Sequence, residues 1–171
     1  MSEYSNTKSY FFEIKHLIIR IVILLFSLLI LFSVVIGIAA VPDLSMEPVL
    51  SAGDIVIFFR LDKELKSGDI VVYSDDGIMR TGRVVAVGGD TVKIMDDGTL
   101  YINDNRIIES DIYYDITPID IDVEYPVCLE EDEVFILCDR RGAQVDSRSL
   151  GAVKTGDVKG KLFAAIRKQG F

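Results

Sequence analysis

IVILLFSLLILFSVVIGIAA, residues 21–40, decides how the chain is organised. These twenty residues carry no charge, and at about 1.5 Å per residue a helix of this length spans the roughly 30 Å hydrocarbon core of a bilayer. A cleaved secretory leader has a shorter apolar core of about 7 to 15 residues, although Gly37, Ala39 and Ala40 are small residues of the kind that precede a cleavage site. We therefore expect a retained membrane anchor, with a cleaved leader as the alternative.

The charges on either side of this run predict its orientation. Basic residues precede it and acidic residues follow it, namely Lys8, Lys15 and Arg20 before and Asp43, Glu47 and Asp54 after. Because basic flanks stay in the cytoplasm, the N-terminus is expected there. The predicted layout is a cytoplasmic tail over residues 1–16, a single transmembrane helix over 17–40 in the cell membrane, and an extracytoplasmic domain over 41–171.

The expected extracytoplasmic domain is acidic. It holds 15 basic and 25 acidic side chains, whereas the whole chain has a formal net charge of −9. This balance excludes a basic nucleic-acid surface. Cys128 and Cys138 would lie on the oxidising side, and the sequence leaves open whether they pair.

Beyond the anchor the pattern favours a mainly β domain. Short runs rich in β-branched and aromatic residues alternate with turn sequences such as SAGD, KSGD, SDDG and VGGD. Six runs are predicted strands: DIVIFFR (54–60), DIVVYS (69–74), RVVAV (83–87), TVKIM (91–95), TLYIN (99–103) and EVFILC (133–138). Residues 158–167 suit a last strand or a short helix, and residues 112–126 suit an extended insertion or loop.

Four blocks in order carry a resemblance to a known family. They are SMEP (45–48), GDIVVY (68–73), GRVVAVGGDTV (82–92) and FILCDRRGAQVDSRSLGAV (135–153). With the anchor, they resemble the conserved boxes of type I signal peptidases, the membrane-bound serine endopeptidases of family S26 that remove leader peptides from exported proteins. The resemblance extends over residues 17–168, and the single anchor is similar to the Gram-positive form.

The resemblance implies a fold and a set of site residues. The fold is a signal-peptidase-type (LexA-like) coiled, antiparallel β domain with a groove that receives the substrate as an added strand. Ser45 matches the nucleophile of a Ser/Lys dyad, and Met46 the hydrophobic residue behind it. Site-supporting positions are Arg83 in the third box and Asp146, Ser147 and Arg148 in the last. No metal or cofactor is expected.

The general base of the dyad is absent from its position. Family members have Lys-Arg where this chain has Gly82 and Arg83. A serine hydroxyl needs a neighbour to take its proton, and an arginine guanidinium stays protonated. The one histidine, His16, precedes the anchor, so the expected topology places it across the membrane from Ser45. Lys93 is the first lysine after Gly82 in the sequence, and it lies on a predicted strand.

Other box positions also differ from the family pattern. The last box usually begins Gly-Asp-Asn-Arg and continues to a serine that contacts the lysine, whereas here Cys138 opens it and Gln144 stands later. Two residues before Ser45, Asp43 occupies a position where some members place an oxyanion donor. A carboxylate pointing inward there would oppose a developing negative charge.

The sequence is therefore compatible with two functions. One is a signal-peptidase-like protein with lost or weak proteolysis that binds an exported pre-protein or pilin, since the chain resembles the pilus-associated subgroup with glycine at the lysine position, which acts alongside sortases. The alternative is an active signal peptidase that cleaves after small residues, using Ser45 and a non-standard base such as Lys93. Ser45 is often replaced in the pilus-associated subgroup, and its presence here keeps the alternative open.

Overall fold

A computed structural model describes residues 3–108, 123–142 and 145–167. It contains two compact units, which meet in sequence at the Ile36–Gly37 boundary. The expected insertion at 112–126 lies outside the described residues except for its last four. Gln144 also lies outside them.

The N-terminal unit is helical. Helix α1 runs from Glu3 to Ile30 and passes into a π-helical turn over Leu31–Val35. Residues Phe12–Val35 form a segment long and apolar enough to cross a membrane. The helix differs from the expected segment at its C-terminal end, because Ile36–Ala40 form a β-strand, β1. The apolar run is continuous in sequence, so hydropathy alone does not mark where the helix gives way to the strand.

The second unit is mainly β, as predicted. Its elements after β1 are β2 (Ile55–Phe59), β3 (Ile70–Asp75), β4 (Ile78–Val87), β5 (Thr91–Ile94), β6 (Leu100–Ile102), β7 (Asn105–Arg106), β8 (Val127–Cys128), β9 (Glu133–Leu137), the one-turn helix α2 (Ser147–Leu150), β10 (Val153–Lys154) and β11 (Val158–Ile166). The segment that suited either a strand or a short helix is therefore a strand.

These strands form two sheets within the described residues. The larger has the order β1-β2-β11-β3-β4-β9-β10, and the smaller has the order β7-β6-β5-β8. Every pairing for which a register is defined is antiparallel, which confirms the predicted antiparallel architecture. β11, the last of the described strands, therefore lies inside the larger sheet, between β2 and β3.

The β3–β4 hairpin shows how local sequence sets the register. Asp75 pairs with Ile78, leaving Asp76 and Gly77 as a two-residue turn in which both have positive φ, 46° and 84°. Such a turn favours Asp-Gly, since both central residues adopt left-handed conformations. β4 therefore begins at Ile78, five residues earlier than the predicted strand, and carries Gly82 in its middle.

Three clusters of buried side chains form the core. One lies between β3, β4, β9 and β11 and includes Tyr73 and Ile136. A second joins the two sheets around Phe135. The third packs Met46 and Leu50 against Phe58 of β2. The loop that carries Ser45 is thus fixed on the sheet by its own apolar residues.

Candidate active site

Ser45 lies in the turn-rich loop between β1 and β2. Val41 donates its backbone amide to the Asp54 carbonyl at 2.8 Å, which closes the base of this loop. Met46, directly after Ser45, is completely buried in the third core cluster. Because Met46 is held in the core, the neighbouring Ser45 has a defined position, with 5% of its surface exposed.

The backbone of Ser45 is hydrogen-bonded on both sides. Its amide donates to the Asp43 carboxylate, with 2.8 Å between N and Oδ1. Its carbonyl accepts from the Arg140 amide at 2.9 Å, which joins the loop to the segment after β9. The Arg140 guanidinium forms an ion pair with Glu47 at 3.1 Å, a second connection between the same two segments.

Gly82, where the resemblance leads us to expect the general base, is surrounded by apolar side chains. Gly82 pairs with Val71 of β3 and is buried. A Cβ atom there would overlap the Cγ2 methyl of Ile136, and it would lie 3.4 Å from both the Tyr73 ring atom Cε1 and the Leu137 carbonyl oxygen. The space beside Gly82 is therefore filled, so a lysine does not fit without repacking.

Tyr73 does not supply a replacement base. Its side chain is 1% exposed, and its hydroxyl has no hydrogen-bond partner among the described residues. Burial, followed by the nearby Cys138 thiol, raises the pKa of Tyr73 far above its usual range. The phenol stays protonated and cannot accept the serine proton.

Cys138 is a neighbour of the Ser45 side chain. The thiol lies near the Ser45 side chain and donates weakly to the Val145 carbonyl at 3.9 Å. Burial, reinforced by the Asp146 carboxylate, raises the pKa of Cys138 to about 12. A thiol that stays neutral is a poor nucleophile, and it accepts a proton only weakly. Cys128 is exposed, and both cysteines are free.

A buried ion pair positions Cys138. Asp146 and Arg148 are both fully buried, and Arg148 Nη2 lies 2.8 Å from Asp146 Oδ2. The same carboxylate accepts the Cys138 amide at 3.0 Å and caps the first turn of α2. The Ser147 hydroxyl accepts the Ile136 amide at 2.9 Å. Asp146, Ser147 and Arg148 therefore fix the end of β9 that faces Ser45 and Gly82.

Arg83 supports the same region from β4. Its guanidinium donates to both carboxylate oxygens of Asp139, at 2.8 and 2.7 Å. Asp139 is 2% exposed. Such a two-bond pair fixes the orientation of both side chains. Arg83 thus ties β4 to the residue that follows Cys138.

The site residues predicted from sequence converge on the end of β9. The Ser45 carbonyl accepts the Arg140 amide there, and the Cys138 side chain lies near Ser45. Gly82 lies beside Ile136 and Leu137. His16 belongs to the N-terminal unit. Lys93 is an exposed residue of β5 in the smaller sheet.

No lysine amine lies within hydrogen-bonding distance of Ser45 in the part of the chain that the structure describes. Three of the lysines instead have other partners: Lys63 donates to the Val158 carbonyl, Lys154 pairs with Glu130, Asp132 and Glu133, and Lys161 pairs with Asp62 and Asp69. Over residues 3–108, 123–142 and 145–167 there is also no cluster of three metal-ligating side chains.

Sequence reasoning missed the residues that fill the site. In the sequence, Ile136 and Tyr73 have the pattern of ordinary strand residues, and Cys138 suggests a disulfide rather than a neighbour of Ser45. A cysteine where the family box begins with glycine was the one available signal for Cys138. Ile136 gave none, since its contact depends on the register in which β9 pairs with β4.

Comparison with known proteins identifies the family of the chain. Residues 14–166 match the family described as signal peptidase, peptidase S26. The chain belongs to the signal peptidase family. The resemblance of the four sequence blocks is thereby confirmed.

The chain covers different shares of the length of individual signal peptidase relatives. It is 31% identical over 138 residues to probable thylakoidal processing peptidase 2 of Arabidopsis thaliana, which is 71% of this chain but 35% of that protein. It is 27% identical over 161 residues to inactive signal peptidase IA of Staphylococcus aureus strain Mu50, which is 87% of this chain and 88% of that protein. A signal peptidase I from Enterococcus faecalis V583 has a similar structure, with a TM-score of 0.49 and 26% identity over 58% of this chain and 97% of the solved chain.

Proposed function

We propose that this chain is a membrane-anchored member of the signal peptidase family that binds exported polypeptides and has lost efficient proteolysis. The observation that carries the proposal is the packing of Ile136 and Tyr73 into the space beside Gly82. A serine hydroxyl without an adjacent base is a weak nucleophile. Its neighbour Cys138 is a neutral thiol and does not supply the missing function.

An open strand edge that ends at Gly82 supports the binding role. β4 pairs with β3 from Ile78 to Arg83, but its pairing with β9 begins only at Arg83. Residues 78–82 therefore present one edge that is unpaired within the described sheet. Such an edge accepts an extended peptide as an added strand, with main-chain hydrogen bonds supplying affinity. Gly82 is the last residue of this edge, directly before the pairing of Arg83 with Leu137.

The apolar composition of the N-terminal helix supports the proposal that the chain is anchored in a membrane. The Phe12–Val35 segment has a mean hydropathy of 3.0 over its most apolar window. Lys15 and Arg20 mark the side expected to face the cytoplasm. With this orientation, the β unit lies on the side to which pre-proteins are exported.

The narrower form of the proposal is a role in pilin assembly beside a sortase. Glycine at position 82 and the sequence blocks around it favour this form, through their resemblance to the pilus-associated subgroup. A staphylococcal relative described as an inactive signal peptidase lends support to the loss of proteolysis in general. Deleting the gene is expected to reduce polymerised surface pilin while leaving leader removal from other exported proteins unchanged.

Retention of Ser45 favours a second candidate, an active signal peptidase with a non-standard base. This function requires an amine or imidazole to reach Ser45 when substrate is bound. The sequence suggests Lys93 as this base, but Lys93 is exposed on the smaller sheet. The second candidate therefore requires a rearrangement or a base supplied by a partner.

Photocrosslinking tests the binding role on the full chain in detergent. A photoreactive amino acid replaces Met79, an exposed residue of the open β4 edge, or Ile108, which is 83% exposed elsewhere. A fluorescent peptide containing a leader cleavage region is the probe. Crosslinking at Met79 and none at Ile108 supports binding along the open edge.

N-methylation of the peptide tests strand addition directly. Each methyl group removes one backbone donor, and only alternate residues of an added antiparallel strand face the receiving edge. Binding is expected to weaken at alternate positions. Equal crosslinking at both protein positions, or uniform effects of N-methylation along the peptide, would contradict the proposed mode of binding.

A further inference from the structure

The Asp43 carboxylate accepts a hydrogen bond from the backbone amide of Ser45, the candidate nucleophile. Its Oδ1 atom lies 2.8 Å from the Ser45 amide nitrogen, and Asp43 stands two residues before Ser45 in the same loop. A hydrogen bond to an ionised acceptor is stronger than one between neutral groups. The Ser45 amide is therefore already directed at a negatively charged oxygen of the chain itself.

This amide has a specific use in serine peptidases. Acyl transfer places a negative charge on the former carbonyl oxygen, and the backbone amide of the nucleophilic serine is a usual donor to that oxygen. In this chain an incoming oxyanion meets a donor that is occupied, with a carboxylate at hydrogen-bonding distance from it. Both loss of the donor and charge repulsion act against the anion.

The charge of the neighbouring Arg140 is paired with a carboxylate other than Asp43. Arg140, whose backbone contacts Ser45, directs its guanidinium to Glu47 at 3.1 Å. The Cys138 thiol beside the Ser45 hydroxyl is neutral. A peptide carbonyl in an uncleaved chain carries no net charge, so the carboxylate repels it far less than it repels an oxyanion.

We infer that Asp43 is a specificity-determining residue that makes the Ser45 loop accept an uncharged, extended polypeptide and reject an anionic group. The rejected groups include the tetrahedral oxyanion and the C-terminal carboxylate of a cleaved leader. The inference rests on the proposed function, and it gives that function a selectivity. An intact client is retained, and a cleaved leader is not.

Paired peptides test this selectivity on the full chain in detergent. The probes are two short fluorescent peptides of one sequence ending in Ala-Gln-Ala, one with a free C-terminal carboxylate and one with a C-terminal amide. Wild type is expected to prefer the amide form. Asp43→Ala frees the Ser45 donor and removes the charge, so the affinity ratio should shift toward the carboxylate form by about tenfold. Asp43→Asn keeps an acceptor oxygen without the charge and should give an intermediate ratio.

Hydrogen exchange of the Ser45 amide, followed by NMR, tests the contact without any ligand. Exchange in Asp43→Ala is expected to be at least about tenfold faster than in wild type, with Asp43→Asn between them. Equal exchange in all three proteins overturns the inference at its structural basis.

The outcomes separate the inference from the function on which it rests. Binding of both peptides with the same affinity ratio in wild type and Asp43→Ala overturns the role of Asp43 and leaves polypeptide binding in place. Failure of every variant to bind either peptide contradicts the proposed function and the inference together. A shifted ratio with faster Ser45 exchange supports both.

Discussion

The Cγ2 methyl of Ile136 occupies the space into which a Cβ atom at Gly82 would project. The two residues lie on adjacent strands, β9 and β4, and Ile136 pairs with Val84. Tyr73 closes the same space from β3. Gly82, the position proposed for the general base, is thus part of the apolar core, and side chains from three strands fill the space that a lysine there would need.

Substitution at Gly82 should reveal this packing. Gly82→Ala adds one carbon atom, which must displace Ile136, and overpacking of this kind costs about 1–3 kcal/mol. We expect a loss of this size in the free energy of unfolding, measured by chemical denaturation.

Two variants of Ile136 serve as matched backgrounds for that measurement. Ile136→Leu removes the branch at Cβ and keeps the volume, so Gly82→Ala should be nearly neutral in it. Ile136→Val keeps the branch and removes only the terminal methyl, so the full penalty should persist. The same penalty in all three backgrounds would refute the direct contact.

Repacking should also determine whether a lysine can act at this position. We expect Gly82→Lys alone to remain inactive, because Ile136 and Asp43 still oppose the reaction. The triple variant Asp43→Ala, Gly82→Lys, Ile136→Leu should cleave a model pre-protein at least about 100-fold faster than its Ser45→Ala derivative, which is the usual contribution of a general base. Arginine at position 82 in the same background is the control, since it cannot give up its proton. Equal activity of the lysine and arginine forms would contradict the assignment of position 82.

The buried pair of Asp146 and Arg148 should contribute strongly to stability. Asp146→Asn leaves the Arg148 charge without its counterion in a fully buried position. Breaking such a pair costs about 3–5 kcal/mol. Glu47→Gln breaks the half-exposed pair with Arg140 and should cost at most about 1 kcal/mol. Similar losses for the two variants in thermal or chemical unfolding would show that the buried pair does not organise the site.

The two cysteines should differ in reactivity. Cys128 is exposed, and Cys138 is buried with its pKa raised to about 12. Iodoacetamide at mildly alkaline pH is expected to label Cys128 in the native chain and Cys138 only after unfolding, as judged by peptide mass spectrometry. Labelling of Cys138 in the native chain as fast as Cys128 would contradict its burial.

The raised pKa of Cys138 also predicts a direction for stability against pH. The folded state favours the neutral thiol, so this contribution is fully present below the ordinary thiol pKa. It is lost as the pH rises from there toward about 12, because the unfolded chain ionises first. Cys138→Ser should reduce this alkaline loss, and Cys128→Ser should leave it unchanged.

Much of the fold could be predicted from the sequence because its signals are local. All six predicted strands occur, and turn sequences such as Asp76-Gly77 lie where their conformations require them. β1 was missed because it continues the apolar run of the helix without a break. β7, β8 and β10 contain two residues each, too few to give a periodic pattern.

The candidate site also has a part that could be predicted from the sequence and a part that could not. Ser45 and Gly82 could be located because they fall inside ordered sequence blocks. The contacts of Gly82 with Ile136, of Ser45 with Cys138 and of Arg83 with Asp139 join residues more than fifty positions apart. These contacts depend on the register of the strands and on the position of the loop that Met46 holds against the core. Neither can be predicted from a local sequence pattern.

The most direct test of the account is cleavage of a fluorescent pre-protein by the full chain in detergent, with wild type and Ser45→Ala compared under identical conditions. Products are quantified by mass spectrometry at the leader junction. The account predicts that the two proteins give the same low rate, within about twofold, because Ser45 has no base to activate it. Turnover by wild type that disappears in Ser45→Ala would contradict it.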